Sequence, residues 1–260
     1  MLQTPYRDDK QAYSDLEQVR MQMAQKNFCF IPAEQVRSLL QQQQASALQD
    51  WSTFQNSWSD LALDTYMADQ GSYRKRKHAT LSAPAASRLW QKEAHQPHYQ
   101  SLTYNNLNGG IARHYAPISD AVMQSHSMNN LLTLACDIFG QLMPEHAWHI
   151  EAHQFRIEAN AEQAGLPTPE GVHRDGVNFV MMLMVQRANM VNGATTIYDL
   201  NKNRLDQFVL TNPLDMALVN DEQVFHGVTP IMQLDSDRLA ARDVLVITFR
   251  RKTQSPTTAD

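Results

Sequence analysis

From residue 148 to residue 250 the chain is written as short apolar runs cut by turn residues, a pattern that leaves few folds open. The runs are 148–158 (WHIEAHQFRIE), 177–187 (VNFVMMLMVQR), 194–199 (ATTIYD), 215–219 (DMALV), 223–229 (QVFHGVT) and 243–250 (DVLVITFR). Val, Ile, Thr, Phe and Tyr recur in them, residues that suit a pleated, half-buried surface. Between them stand GLPTPEG at 165–171, NMVNG at 189–193 and TNP at 211–213. Their Gly, Pro and Asn end strands and open turns. Six or more short strands at this spacing predict a mainly β protein, an antiparallel sandwich or barrel with helices packed outside.

Upstream of residue 147 the texture favours helix. Met128, Leu131, Leu132, Ala135, Ile138, Phe139 and Leu142 fall on one face at three- and four-residue steps. That spacing predicts a helix from about Met128 to Leu142, capped by Ser127, closed by Pro144 and packed on a sheet. Residues 34–56 are dense in Gln, but Val36, Leu39, Leu40, Leu48 and Trp51 keep helical spacing, so one solvated helix is expected there. No internal repeat or long linker divides the chain. The expectation is a single domain over 1–260: a helix-rich part with some strands (1–147), a β core (148–252) and a frayed tail (253–260).

Several classes of function drop out. No apolar run approaches the roughly 18 residues a membrane span needs, and the polar N-terminal segment does not read as a secretory signal. Cys29 and Cys136 lie far apart in apolar contexts, which argues against a disulfide framework and for a reducing, cytoplasmic setting. A net charge of −5 gives no electrostatic reason to bind a nucleic-acid backbone. A small-molecule partner is expected, and the oligomeric state is not legible.

The sharpest chemical signal is His173-Arg174-Asp175 followed by His226. Positions i and i+2 of a strand share a face, so one imidazole and one carboxylate can reach the same ion. With a second His they make the two-His, one-carboxylate set that holds Fe(II) and leaves coordination positions open. The spacing alone is common: 10 His and 27 acidic residues give about one His-x-acid match by chance. A rival match, His149-Ile150-Glu151 with His153 nearby, stands in a regular alternating strand and reads as solvated or internally satisfied histidine. His173 and Asp175 are instead delivered by a Pro/Gly loop, with Gly176 after them and Gly227 after His226. Arg242 opens the last strand sixteen residues beyond His226 and could grip a distal carboxylate through both guanidinium arms. Arg238 competes for that role.

Taken together, GLPTPEGVHRDGVNFVMML, GATTIYDL, DEQVFHGVTPI and RDVLVITFRR resemble the bacterial 2-oxoglutarate/Fe(II) dioxygenases that hydroxylate free L-amino acids. Among these the chain is most similar to the L-isoleucine dioxygenase group, over roughly residues 70–252, with 165–250 the specific part. The resemblance implies a double-stranded β-helix, the jelly-roll or cupin-like core. It also implies Fe(II) on His173, Asp175 and His226, and 2-oxoglutarate with its C5 carboxylate on Arg242. Dioxygen would be consumed, succinate and CO₂ released, and ascorbate needed as reductant in vitro. The substrate class implied is a free aliphatic L-amino acid of the isoleucine, leucine or methionine type. The MQLDSD loop after His226 is longer than in many relatives, which keeps Arg238 in contention.

For the substrate, Arg76, Tyr104, Asn105 and Arg113 are candidates from the segments 73–81 and 98–115, as are Gln154 and Arg156 on the 148–158 strand. A free amino acid needs a cation for its carboxylate, acceptors for its ammonium and an apolar wall. YRKRK could equally be a solvated basic turn, and NNLNGG at 105–110 reads as a turn between strands. The methionines of VNFVMMLMV could line the pocket or fill the core behind it. Three rival functions stay open: a peptide or protein hydroxylase on the same fold, a cupin-type isomerase or hydrolase with another metal, and a non-catalytic cupin-like sensor.

Overall fold

A computed structural model describes residues 14–252. The tail expected at 253–260 and most of the polar N-terminal segment lie outside the described residues. The first half supplies α1 (Asp15–Lys26), β1 (Phe28–Ile31), α2 (Ala33–Gln43) and α3 (Trp51–Asn56), then β2 (Ala62–Leu63), β3 (Arg74–Ala83) and β4 (Gln91–Lys92). A two-stranded ribbon, β5 (His98–Tyr99) and β6 (Ala112–Arg113), precedes α4 (Asp120–Met123) and α5 (His126–Leu142). The second half is β7 (Trp148–Ala159), β8 (Phe179–Ala188), β9 (Met190–Asn192), β10 (Ala194–Tyr198), β11 (Arg204–Val209), β12 (Met216–Asn220), β13 (Phe225–Val228), β14 (Ile231–Gln233) and β15 (Ala240–Arg251).

All six expected strands are present, and their order in space is not their order in sequence. The main sheet runs β1-β12-β8-β15-β7-β3-β2, with β4 on β3, and a second sheet runs β11-β10-β13. Every pairing within these two sheets is antiparallel. Side chains of both sheets meet in one apolar cluster that includes Val180, Met182, Met184, Ile197, Ala217 and Val244. Strands β1 and β3 come from the first half, so the change of texture near residue 147 does not divide the structure.

The helices cover the outer face of the main sheet, as their apolar stripes require. Phe139 of α5 stacks on Phe179 with ring centroids 4.9 Å apart and meets Phe249 edge-on at 5.0 Å. Such pairs add about 0.5–1.5 kcal/mol each beyond the area they bury. The cap of α5 is Ser125, not Ser127: the Ser125 side chain accepts from Met128 N at 3.2 Å. Ser127 instead donates its hydroxyl to Asp50, whose carboxylate also accepts the His126 and Ser127 backbone N–H groups. The single helix expected over 34–56 is broken. α2 ends at Gln44, which is extended, and a turn folds the chain back so that Phe54 and Trp58 join Val36, Leu39 and Leu40 in one core.

The YRKRK segment is neither a loop nor a turn. It is the start of β3, hydrogen-bonded along its length to β7. Its basic side chains pair with carboxylates elsewhere in the chain: Arg74 with Asp64 at 2.8 Å, Lys75 with Glu158 at 2.8 Å and Lys77 with Asp60 at 2.8 Å.

Candidate active site

Strand register decides which side chains face the space between the sheets. On β7, Ile150 and Ala152 join the core under the helices, so His149, Glu151, His153, Phe155 and Ile157 face inward. The inward residues of β3 and β15 stand beside them in rows: Arg74, Ile157 and Arg242; Arg76, Phe155 and Val244; His78, His153 and Val246; Thr80, Glu151 and Thr248. Together with the ribbon, β8 and β13 they surround a cavity of about 360 Å³.

His173 and His226 enter this cavity side by side. Their backbones form an isolated bridge, His173 N to His226 O at 2.9 Å and His226 N to His173 O at 3.0 Å. This holds the two rings 4.6 Å apart. His173 Nδ1 donates to Gly171 O at 3.0 Å, which turns Nε2 toward Asp175. Asp175 lies 3.6 Å from His173 Nε2 and 3.5 Å from His226 Nε2. It is not on a strand: it sits in a bend held by a buried carboxylate. Asp221 accepts the N–H groups of Asp175 at 2.9 Å, Gly176 at 2.8 Å and Val177 at 3.2 Å. Gly176 has φ +80°, and an added Cβ would strike the Tyr104 ring, so this bend requires glycine.

The charges of these groups are strongly linked. Burial opposes charge on His173, but Asp175 and Glu170 outweigh it and lift its pKa to about 9. Burial and the neighbouring His173 push His226 down to about 4. Burial opposes charge on Asp175 too, yet His173 and His226 hold it below the usual carboxylate range. Burial and the facing charge of Asp175 push Asp221 up to about 7. One ligand atom from each of His173, Asp175 and His226 lies within 4.8 Å of the others, a spread one ion can span. The donor set and its approach from one side fit Fe(II) with open positions on the cavity side.

Arg242 lines the same cavity, is 5% exposed, and its Nε has no hydrogen-bond partner. Burial, with Arg187 nearby, lowers its pKa to about 10, so it stays charged. Arg238 is exposed and donates only its backbone N–H, to Asp235. Of the residues named from the sequence as substrate candidates, Arg76, Tyr104, Asn105 and Arg113 line the cavity. Gln154 and Arg156 do not: they stand on the outer face of β7, where Gln154 bonds Ser57 and Arg156 grips Asp243 with two contacts of 2.7 Å. The expectation took the wrong phase of the strand. His149, Glu151 and His153, read from the sequence as solvated or internally satisfied, face inward, and Asp221 carries no local sequence signal at all. Of the methionines, Met182 faces the cavity while Met181 lies in the core behind it.

Comparison with known proteins agrees with this geometry. The 2OG-Fe dioxygenase family matches residues 55–248. A bsmA homolog of known structure from Methylobium petroleophilum PM1 is 31% identical, covering 93% of this chain and 96% of its own, with a TM-score of 0.82. The 3(1)-hydroxy-L-isoleucine 4-dioxygenase of Pantoea ananatis (strain AJ13355) is 22% identical over 88% of this chain and 94% of its own. The L-isoleucine-4-hydroxylase of Bacillus thuringiensis is 26% identical over 60% of this chain and 65% of its own. Two facing antiparallel sheets, a match spanning three quarters of the sequence and a relative of this similarity leave one assignment: the chain belongs to the 2OG-Fe dioxygenases.

Proposed function

We propose that this enzyme hydroxylates the side chain of a free aliphatic L-amino acid, with 2-oxoglutarate and dioxygen as co-substrates and succinate and CO₂ as by-products. The family uses Fe(II), and in this reading His173, Asp175 and His226 hold it. When bound, the iron supplies the activation of dioxygen and the oxidation of an aliphatic C–H bond. The observation that carries the reading is the pairing, in one cavity, of that donor set with the buried, unpaired guanidinium of Arg242.

The chain's own residues then do the positioning. Arg242 takes the far carboxylate of 2-oxoglutarate and sets how deep the molecule sits. Val244, Val246 and Met182 form an apolar wall that keeps water from the reacting side chain. Asp221 holds the bend that aims Asp175. The names of the relatives, with a cavity of about 360 Å³, favour a small free amino acid over a peptide. Two buried free cysteines, with thiols pushed by burial to about 11 and about 12, suit a reducing cytoplasm. Among the described residues no helix is long and apolar enough to cross a membrane.

The test is succinate release from 2-oxoglutarate with Fe(II) and ascorbate, screened over the free L-amino acids. Isoleucine, leucine and methionine should each give a product heavier by one oxygen. Their kcat/KM values should differ by about 10–200-fold, the range one methylene in an apolar pocket can supply. Preference for a peptide, or equal use of N-acetyl-isoleucine, would overturn the substrate class and leave the family standing.

A second prediction concerns Asp221. Asp221→Asn replaces one acceptor oxygen by an NH₂ that cannot receive the backbone N–H groups of the Asp175 bend. Metal affinity, measured by titration, should fall about 10–100-fold, as for other groups that orient a metal ligand. An unchanged affinity would show that the bend holds itself.

A further inference from the structure

The cavity holds a second polar cluster. Glu151 is surrounded by four histidines: His98 Nδ1 at 2.6 Å, His153 Nε2 at 3.3 Å, His149 Nε2 at 3.4 Å and His78 Nε2 at 3.7 Å. We propose that this cluster binds the head group of the amino-acid substrate, Glu151 and His98 taking the α-ammonium and Arg113 the α-carboxylate. The proposal rests on the amino-acid reading above.

Proton positions follow from the partners. Arg76 Nη2 lies 2.8 Å from His153 Nδ1, and a guanidinium only donates. Nδ1 of His153 is therefore an acceptor, and its proton sits on Nε2, toward Glu151. His98 turns Nδ1 to Glu151, so its proton is there and Nε2 remains an acceptor. Burial keeps His98 neutral, at about 4, and His153 lowered as well. Burial opposes the charge on Glu151, but the surrounding imidazoles hold it ionised. The cavity wall thus carries one fixed anion and an unprotonated ring nitrogen, acceptors for an ammonium.

The matching cation is next to them. Arg113 stands opposite His98 in the β5–β6 register. It is 2% exposed, its Nε has no partner, and Nη2 reaches only Gln100 Oε1, at 3.3 Å. A buried guanidinium with unmet donors is costly without an anion. Gln100 in turn donates to Asp175 O at 2.9 Å. One side chain therefore links the proposed head-group site to the metal-ligand bend. The apolar wall of Phe155, Val246 and Met182 is left for the substrate side chain.

His78, His98, Glu151 and His153 also have the spacing of a metal site, with ligand atoms within 4.8 Å of one another. Arg76 argues against it. Its guanidinium holds the proton on His153 Nε2, the atom a metal would need, and adds a positive charge against the cluster.

The experiment is calorimetric binding to the protein loaded anaerobically with Fe(II) and 2-oxoglutarate. Isoleucine, leucine and methionine are compared with 2-hydroxy-3-methylpentanoate, which lacks the ammonium, and with isoleucinamide, which lacks the carboxylate. Both analogues should bind at least about tenfold more weakly than isoleucine, the usual effect of losing a charged hydrogen bond. Glu151→Gln should weaken isoleucine about tenfold or more and the hydroxy acid far less. Arg113→Gln should do the same to isoleucine and spare the amide. The analogue comparison on the unaltered protein stands even if a variant fails to fold. Equal binding of the analogues, or no binding of any free amino acid, overturns the head-group site. So does a second equivalent of divalent metal that Glu151→Gln removes. Tight selective binding without succinate release would keep the site and sink the hydroxylase reading. Turnover with affinities unmoved in both variants would do the reverse.

Discussion

Alanine at His173, Asp175 or His226 should abolish turnover and lower Fe(II) or Mn(II) affinity by more than the roughly 10–100-fold expected for groups that only orient a ligand. In the proposed reading each contributes one of three donors, and losing one leaves the ion with two protein ligands and open to displacement. The fold should survive, because the bridge between His173 and His226 is made by backbone groups that alanine keeps. Thermal unfolding of the metal-free variants should stay close to that of the parent. His146→Ala is the control: it is half-buried, its ring lies outside the cavity against Glu145 and Trp148, and its loss should change neither activity nor metal binding. Metal binding retained in His173→Ala but lost in His153→Ala would move the ion to the Glu151 cluster.

What could be read from the sequence, and what could not, follows from the range of the interactions involved. β7, β8, β12 and β15 were legible because their pattern is local: β-rich runs bounded by Gly, Pro or Asn. The signal at His173, Asp175 and His226 was legible because the flanking glycines mark a special backbone. β3 was hidden. Its arginines and lysines resemble a solvated segment until Asp60, Asp64 and Glu158 arrive from elsewhere in the chain. The phase of β7 was missed for a different reason. Alternation gives two faces but not which one meets the cavity. Here a clue existed: Ile150 and Ala152 must serve the helix-covered core, which leaves His149, Glu151 and His153 inside. Asp221 gave no sign, since its three bonds are to backbone N–H groups 44–46 residues away.

Arg242 should be the residue whose loss is felt by 2-oxoglutarate and least by the amino acid. Its guanidinium is buried, charged and without a hydrogen-bond partner at Nε, so a carboxylate that enters the cavity meets donors already stripped of water. Arg242→Lys keeps the charge but loses the planar fork, and the apparent 2-oxoglutarate KM should rise roughly 10–100-fold, the equivalent of about 1.5–3 kcal/mol. Arg242→Gln removes the charge as well and leaves the co-substrate carboxylate without a cation in a buried site. Its effect should reach about 3–5 kcal/mol, or roughly 150–5,000-fold. Arg238→Lys should change nothing, because that side chain lies in the exposed loop after β14. Steady-state kinetics with each substrate varied in turn decides the matter. Equal rises in both KM values for Arg242→Lys would point to a general disturbance of the cavity. A rise confined to Arg238→Lys would transfer the anchor to the loop, and with it the depth at which 2-oxoglutarate sits beside His173, Asp175 and His226.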